Sequence, residues 1–272
     1  MASIRATQRE RASAFTLIEL LVCIGIIGVL LVLIAPAFTY IKGGTDVTSS
    51  AYTIQGVLDT ARTYAKANNT YTWVGFFEEP APPPASPVAT PGIGRIVMSI
   101  VASTNGTMPY SGNLANNSQN DPVVLDATPT PSPPTLIQVG KLTKVDNVHL
   151  KTFTAATATP PPDTFDTRPA VASTDSQIGD TTTGPNPAPP NPSLKFHYPL
   201  FTSDAQAQYK FVQIIQFSPR GEGVIDNSNY TMAPVSEIGV QPTHGTTIDA
   251  NSTNFVAIQF TGIGGNVKIY RK

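Results

Sequence analysis

The sequence predicts an α+β fold: a long N-terminal hydrophobic helix whose outer half packs on an antiparallel β-sheet domain with Pro-rich loop insertions. Three observations lead there. Phe15 to Phe38 reads FTLIELLVCIGIIGVLLVLIAPAF and holds a single formal charge, Glu19. Val47, Ala51, Ile54, Leu58, Ala61 and Ala65 then recur at helical spacing. Beyond Asn69, short runs of β-branched and aromatic residues alternate with clusters of Gly, Pro, Asn and Ser.

Taken in order, residues 1–14 form a leader without a fold signal. A bilayer core takes about 20 mostly apolar residues, so the run from residue 15 to 41 is long enough to cross one with some tilt. Arg5, Arg9 and Arg11 precede it against Glu10, and only Lys42 closely follows it. The positive-inside rule therefore places the N-terminus in the cytoplasm and the chain after about Ile41 outside the inner membrane.

Within the run, Glu19 is the residue that needs a reason, because a carboxylate at the centre of a membrane helix costs roughly 2.5–3.5 kcal/mol on insertion scales. Its place one turn from the start softens that cost, since a helix N-terminus favours negative charge. Thr16 as N-cap with Glu19 three residues later fits a capping box. Gly25 and Gly28 are of the kind that lets helices approach closely, but they read first as ordinary membrane-helix composition. Pro36 removes an amide donor and should kink or open the helix, with Lys42-Gly43-Gly44 as a second soft point. Cys23 is the one cysteine, so no intrachain disulfide can form, and it reads as a small packing residue.

From residue 42 to 69 the helix becomes amphipathic: the Val47–Ala65 stripe faces a core while Gln55, Asp59, Arg62 and Lys66 face out, and Asn68-Asn69 ends it. Residues 70–272 read as a β-rich extracytoplasmic domain. Strands are expected at 70–77, 94–102, 135–139, 148–153, 194–198, 209–217, 255–261 and 266–270, the last two forming a hairpin around Gly262, Gly264 and Gly265. Four Pro-rich interruptions, 80–91, 128–134, 160–169 and 185–192, cannot donate to a sheet ladder and read as surface insertions or extended spacers.

Ala14-Phe15-Thr16-Leu17-Ile18-Glu19-Leu20-Leu21 resembles the class III signal of type IV prepilins and type II secretion pseudopilins, a small residue followed by F-T-L-x-E-[LV]. Ala14 stands where that family usually has Gly. The resemblance implies a pilin-like fold and cleavage after Ala14 by a prepilin peptidase that methylates the new N-terminal amine of Phe15. It implies further that Thr16, Glu19 and Pro36 serve assembly, Glu19 by pairing with that amine in a growing filament. The partners it implies are the prepilin peptidase, other pilin or pseudopilin subunits and an inner-membrane assembly platform. VLDTARTYAKANNTYTWV, Phe217-Ser218-Pro219-Arg220-Gly221 and the close at Ile263 to Ile269 are similar to the H-type minor pseudopilins, which implies a minor subunit. A monomeric binding module on an uncleaved signal anchor is the alternative, and needs neither Phe15 nor Glu19.

Little else points to chemistry. Net charge is -1 with 13% charged residues, so the basic face that nucleic acid requires is missing. Composition, with 26 Pro and 20 Gly, suits a loop-rich exported domain. His149, His197 and His244 lie far apart, without metal-ligand spacing, and read as surface or packing residues. No G-x-S-x-G elbow or P-loop occurs, Gly92-Ile93-Gly94 lacks the third glycine of a dinucleotide fingerprint, and Asp226-Asn227-Ser228-Asn229 reads as a turn rather than a calcium loop. Neither an enzyme nor a cofactor is expected.

Overall fold

A computed structural model describes residues 16–108, 123–126, 135–154, 164–172, 176–179, 194–225, 233–250 and 252–272, and side chains throughout these except at 32–46. The expected cut at Ala14-Phe15, the segments 128–134 and 185–192, and the turn at 226–229 lie outside them. The chain forms two compact units, Met1–Lys42 and Gly43–Lys272, and helix α1, Leu17–Ala67, contains the boundary.

In the first unit the backbone stays helical through Pro36 rather than opening there. Every large apolar side chain from Leu17 to Leu31 is 50–80% exposed. Among the described residues no helix is long and apolar enough to cross a membrane. The described side chains of the run stop at Leu31, short of the roughly 20 residues a span needs.

In the second unit the stripe Val47, Ala51, Ile54, Leu58, Ala61 and Ala65 is at most 1% exposed. The helix closes on Asn69, whose φ of 48° supplies the left-handed residue of a C-terminal cap. Asn68 N then donates to Tyr64 O and Thr70 N to Ala65 O, at 3.0 and 2.9 Å.

The strands are β1 Thr72–Pro80, β2 Gly94–Ser103, β3 Val123–Val124, β4 Leu136–Gln138, β5 Thr143–Leu150, β6 Gln177–Ile178, β7 Leu194–Tyr198, β8 Tyr209–Phe211, β9 Gln213–Phe217, β10 Gly223–Val224, β11 Val235–His244, β12 Thr247–Ile248, β13 Val256–Thr261 and β14 Val267–Arg271. The main sheet runs β10-β9-β1-β2-β5-β11-β13-β14, with β4 on β2 and β6 and β12 on β11; β3-β7-β8 form a second sheet. Pairing is antiparallel except at β6 with β11 and β3 with β7.

Period-2 alternation gives the main sheet two apolar faces. Val74, Phe76, Ile96, Met98, Ile215, Phe217, Ile238, Val240, Ile258 and Phe260 pack with the helix stripe. Trp73, Val97, Val101 and Ile214 instead pack with Leu125, Leu194, Phe196, Tyr209 and Phe211 of the second sheet and its flank. Gly75 permits that closure, because a Cβ there would lie 2.5 Å from Phe211 Cβ and 2.7 Å from Phe196 Cζ. The unit is thus helix on sheet on small sheet, with a second sheet beyond the one expected.

Other departures have local causes. The single strand expected over 209–217 breaks at Val212, β8 entering the small sheet and β9 the main one. The strand expected at 148–153 is β5, displaced toward its N-terminus. Pro80 closes β1 opposite Gly94 instead of opening a loop; at a strand end its missing donor costs nothing. Strand β11, central in the pairing order, falls where none was expected.

Candidate functional site

The helix start of the first unit is built by two side chains three residues apart. Thr16 N and Thr16 Oγ1 donate to Glu19 Oε2 at 2.9 and 2.8 Å, and Glu19 N donates back to Thr16 Oγ1 at 3.3 Å. This reciprocal capping box satisfies donors that a helix end leaves orphaned, and it fixes the carboxylate beside the helix start. Leu20 N continues the ladder to Thr16 O at 3.2 Å. Past this cap the surface is apolar all round: Cys23 is exposed and a Cβ at Gly25 or Gly28 would meet nothing within 4 Å. An apolar surface of this extent marks a site of association with protein or lipid.

The second unit buries its charges in pairs. Glu78 and Glu79 follow each other on β1 and so point to opposite faces. Glu78 lies against His149 Nδ1 at 2.8 and 3.0 Å; burial pushes its carboxyl up, against the hydrogen bonds from His149 and the backbone of Gly94 and Leu150. Glu79 accepts from Tyr209 Oη at 3.1 Å and from Arg95 and Lys144 at 3.4 Å each, while Lys144 donates to Tyr209 Oη at 2.6 Å and Arg95 also holds Asp146. That network ties β1, β2 and β5 of the main sheet to β8 of the small one. Glu237 on β11 takes Arg168 Nε and Nη2 at 2.6 and 3.1 Å, and Gln259 Nε2 at 2.8 Å. The Arg168 guanidinium also lies 4.4 Å over the Phe165 ring, which seats the 164–172 loop on the sheet.

His149 and His197 are therefore buried and hydrogen-bonded to carboxyl groups rather than surface or packing residues, while His244 is exposed near Asp249. Glu78 and Asp126 each lie 71 residues from their histidine, so no local motif announced these pairs, while Asp204 lies seven residues from His197. Among the described residues no group of three or more His, Cys, Asp or Glu could hold a metal ion. Each pair joins separate strands or loops, an arrangement that ties the domain together.

Of the residues singled out in the sequence, Thr16 and Glu19 are brought together, and Pro36 takes a place in the α1 backbone. Residues 9–35 match the family model of the prokaryotic N-terminal methylation motif. The chain thus carries a class III prepilin-like N-terminus, and the match leaves the sheet domain untouched. No curated protein and no solved structure matches the chain.

Proposed function

We propose that the protein is a structural subunit, minor by its H-type likeness, of a type IV pilus-like or type II secretion pseudopilus filament. The methylation motif at residues 9–35 carries this reading. Prepilin peptidase removes residues 1–14 on the cytoplasmic face and methylates Phe15. Residues 15–41 are held in the inner membrane and later enter a bundle of other subunits' helices through the assembly platform. The domain beyond, residues 70–272, stays on the far side of the membrane, and the half-helix at 42–69 supports it.

Glu19 is the register device. In a low-dielectric bundle an unpaired carboxylate is costly, so only a docking geometry that supplies the Phe15 amine of a neighbour is favourable. Mass spectrometry of the mature N-terminus from native membranes tests the processing, with methyl-Phe15 expected. An intact Met1, or a cut elsewhere, would replace the filament reading with a plain membrane tether. Glu19→Val is expected to reduce the protein recovered in sheared filaments while its membrane insertion is unchanged; equal recovery of variant and wild type would sink the assigned role.

A further inference from the structure

His197 lies in β7 with its side chain 4% exposed and a carboxylate on each ring nitrogen. Nδ1 faces Asp126 Oδ1 and Oδ2 at 3.0 and 3.1 Å, and Nε2 faces Asp204 Oδ1 at 2.9 Å. A carboxylate only accepts, so both nitrogens must donate and the ring must be the imidazolium. The two partners differ in kind. Asp126 is fully buried in the turn after β3 and also accepts from the backbone of His197 and Phe201, at 3.2 and 2.9 Å. Asp204 is half exposed in the loop 199–208 between β7 and β8, and beyond His197 it holds Lys195 Nζ at 3.1 Å. From β8, Lys210 pairs with His197 in register and is exposed, and Tyr209 turns its hydroxyl to Glu79 and Lys144. Among the described residues, Asp126 and Asp204 are the charged groups that act on the ring.

We propose that His197 and Asp204 form a pH-dependent latch, closed while the imidazole is protonated, that sets whether the loop 199–208 is held against the small sheet. Loss of one proton affects the two sides unequally. The neutral ring keeps Nδ1–H on Asp126, which is buried and bonded to backbone amides, and turns a bare lone pair toward Asp204 Oδ1. Two acceptors at that distance repel. Asp204 has solvent on its open side, so it is the partner that leaves, taking its loop with it.

The sign follows from the partners. The hydrogen bond to Asp126 raises the His197 pKa, burial opposes it, and Asp204 adds to the rise. Asp126 stays on the ring whether the latch is closed or open, so the latch draws on the part of the rise that Asp204 adds: it is fully present below the value the ring has with the loop open and is lost as pH climbs through the higher value it has with the loop closed. For Asp204, burial acts upward but Lys195 and His197 together hold the carboxyl below its ordinary value. On the acid side the latch therefore fails only as pH falls through that lowered value.

Hydrogen exchange of the full chain in detergent micelles, corrected for the intrinsic pH dependence of exchange, tests this. Peptides covering 203–208 are expected to lose protection between pH 6 and pH 9 by about tenfold for each unit by which Asp204 raises the His197 value beyond what Asp126 already does. The β13–β14 hairpin serves as the internal reference. Asp204→Asn is the second arm: an amide can donate to the neutral Nε2 or accept from the protonated one, and the exposed position leaves the fold intact. Its loop is expected to stay protected across the whole range. Constant protection of the wild-type loop, or a fall in Asp204→Asn that matches wild type, overturns the latch.

Discussion

Leu17–Leu31 and Val47–Ala65 belong to one helix, yet they present opposite surfaces. The first is apolar around its whole circumference and exposed; the second carries a single apolar stripe at helical period, and that stripe is buried. An apolar stripe needs one neighbouring face, which the chain's own sheet supplies. An all-round apolar surface needs neighbours on every side, which no single sheet can supply. Circumference, more than hydrophobic content, thus tells where the partner comes from. The sheet unit adds the converse, for it buries Glu78, Glu79, Glu237, Arg168, His149 and His197. One region displays its apolar surface and the other hides its charges.

The largest way to break this contrast is to leave a hidden charge unpaired. Glu237→Ala strands the guanidinium of Arg168, itself 3% exposed, and should destabilise the second unit by about 3–5 kcal/mol. Replacing both residues, as Arg168→Met with Glu237→Leu, should recover most of that loss because no charge is then stranded. Urea unfolding followed by fluorescence reads this directly: Trp73 is the one tryptophan, fully buried, and donates to Gln216 Oε1 at 2.9 Å.

A smaller and more direct comparison uses one substitution in each half of the helix. Leu58→Ala removes a side chain with no exposed area from the middle of the stripe and should cost the unit about 2–5 kcal/mol, read by the same unfolding curve. Ile24→Ala removes a side chain that is 59% exposed and should leave that curve unmoved within about 0.5 kcal/mol. Equal losses would mean that the apolar half is folded against its own domain.

What could be read in advance follows range of interaction. The capping box, the stripe, the Asn69 cap and the β13–β14 hairpin are each written within a few residues, and each was legible. Strand β11 was not, for three reasons that lie elsewhere in the chain. Glu237 reads as solvent-facing until Arg168, 69 residues away, neutralises it. Gly239 reads as a breaker, but Lys151 O lies within 1.8 Å of where its Cβ would sit, so only glycine admits the chain that leaves β5. Pro242 reads as a strand stop, and it sits at the last register position shared with β5. In the small sheet β7 was expected at its own bounds and β8 as the start of 209–217, whereas β3, two residues from a distant segment, was not. In the candidate site, Thr16 and Glu19 were legible for the same reason that Asp126 and His197 were not.

The smallest expected effect isolates the one polar device that the exposed region makes for itself. Thr16→Ala removes the hydroxyl that both donates to Glu19 Oε2 and accepts from Glu19 N, and a lost N-cap costs about 1 kcal/mol. Since 1.4 kcal/mol is a factor of ten, amide exchange over the first turn should rise about fivefold, and Thr16→Ser should restore it. The stability of the second unit should stay as it is, because the cap's hydrogen bonds run between Thr16 and Glu19. Filament incorporation then separates two uses of one carboxylate. If the cap serves only the helix end, Thr16→Ala assembles nearly as well as wild type while Glu19→Val does not. If Thr16→Ala assembles as poorly as Glu19→Val, the hydroxyl aims the carboxylate at its neighbour, and the capping box is itself part of the docking surface.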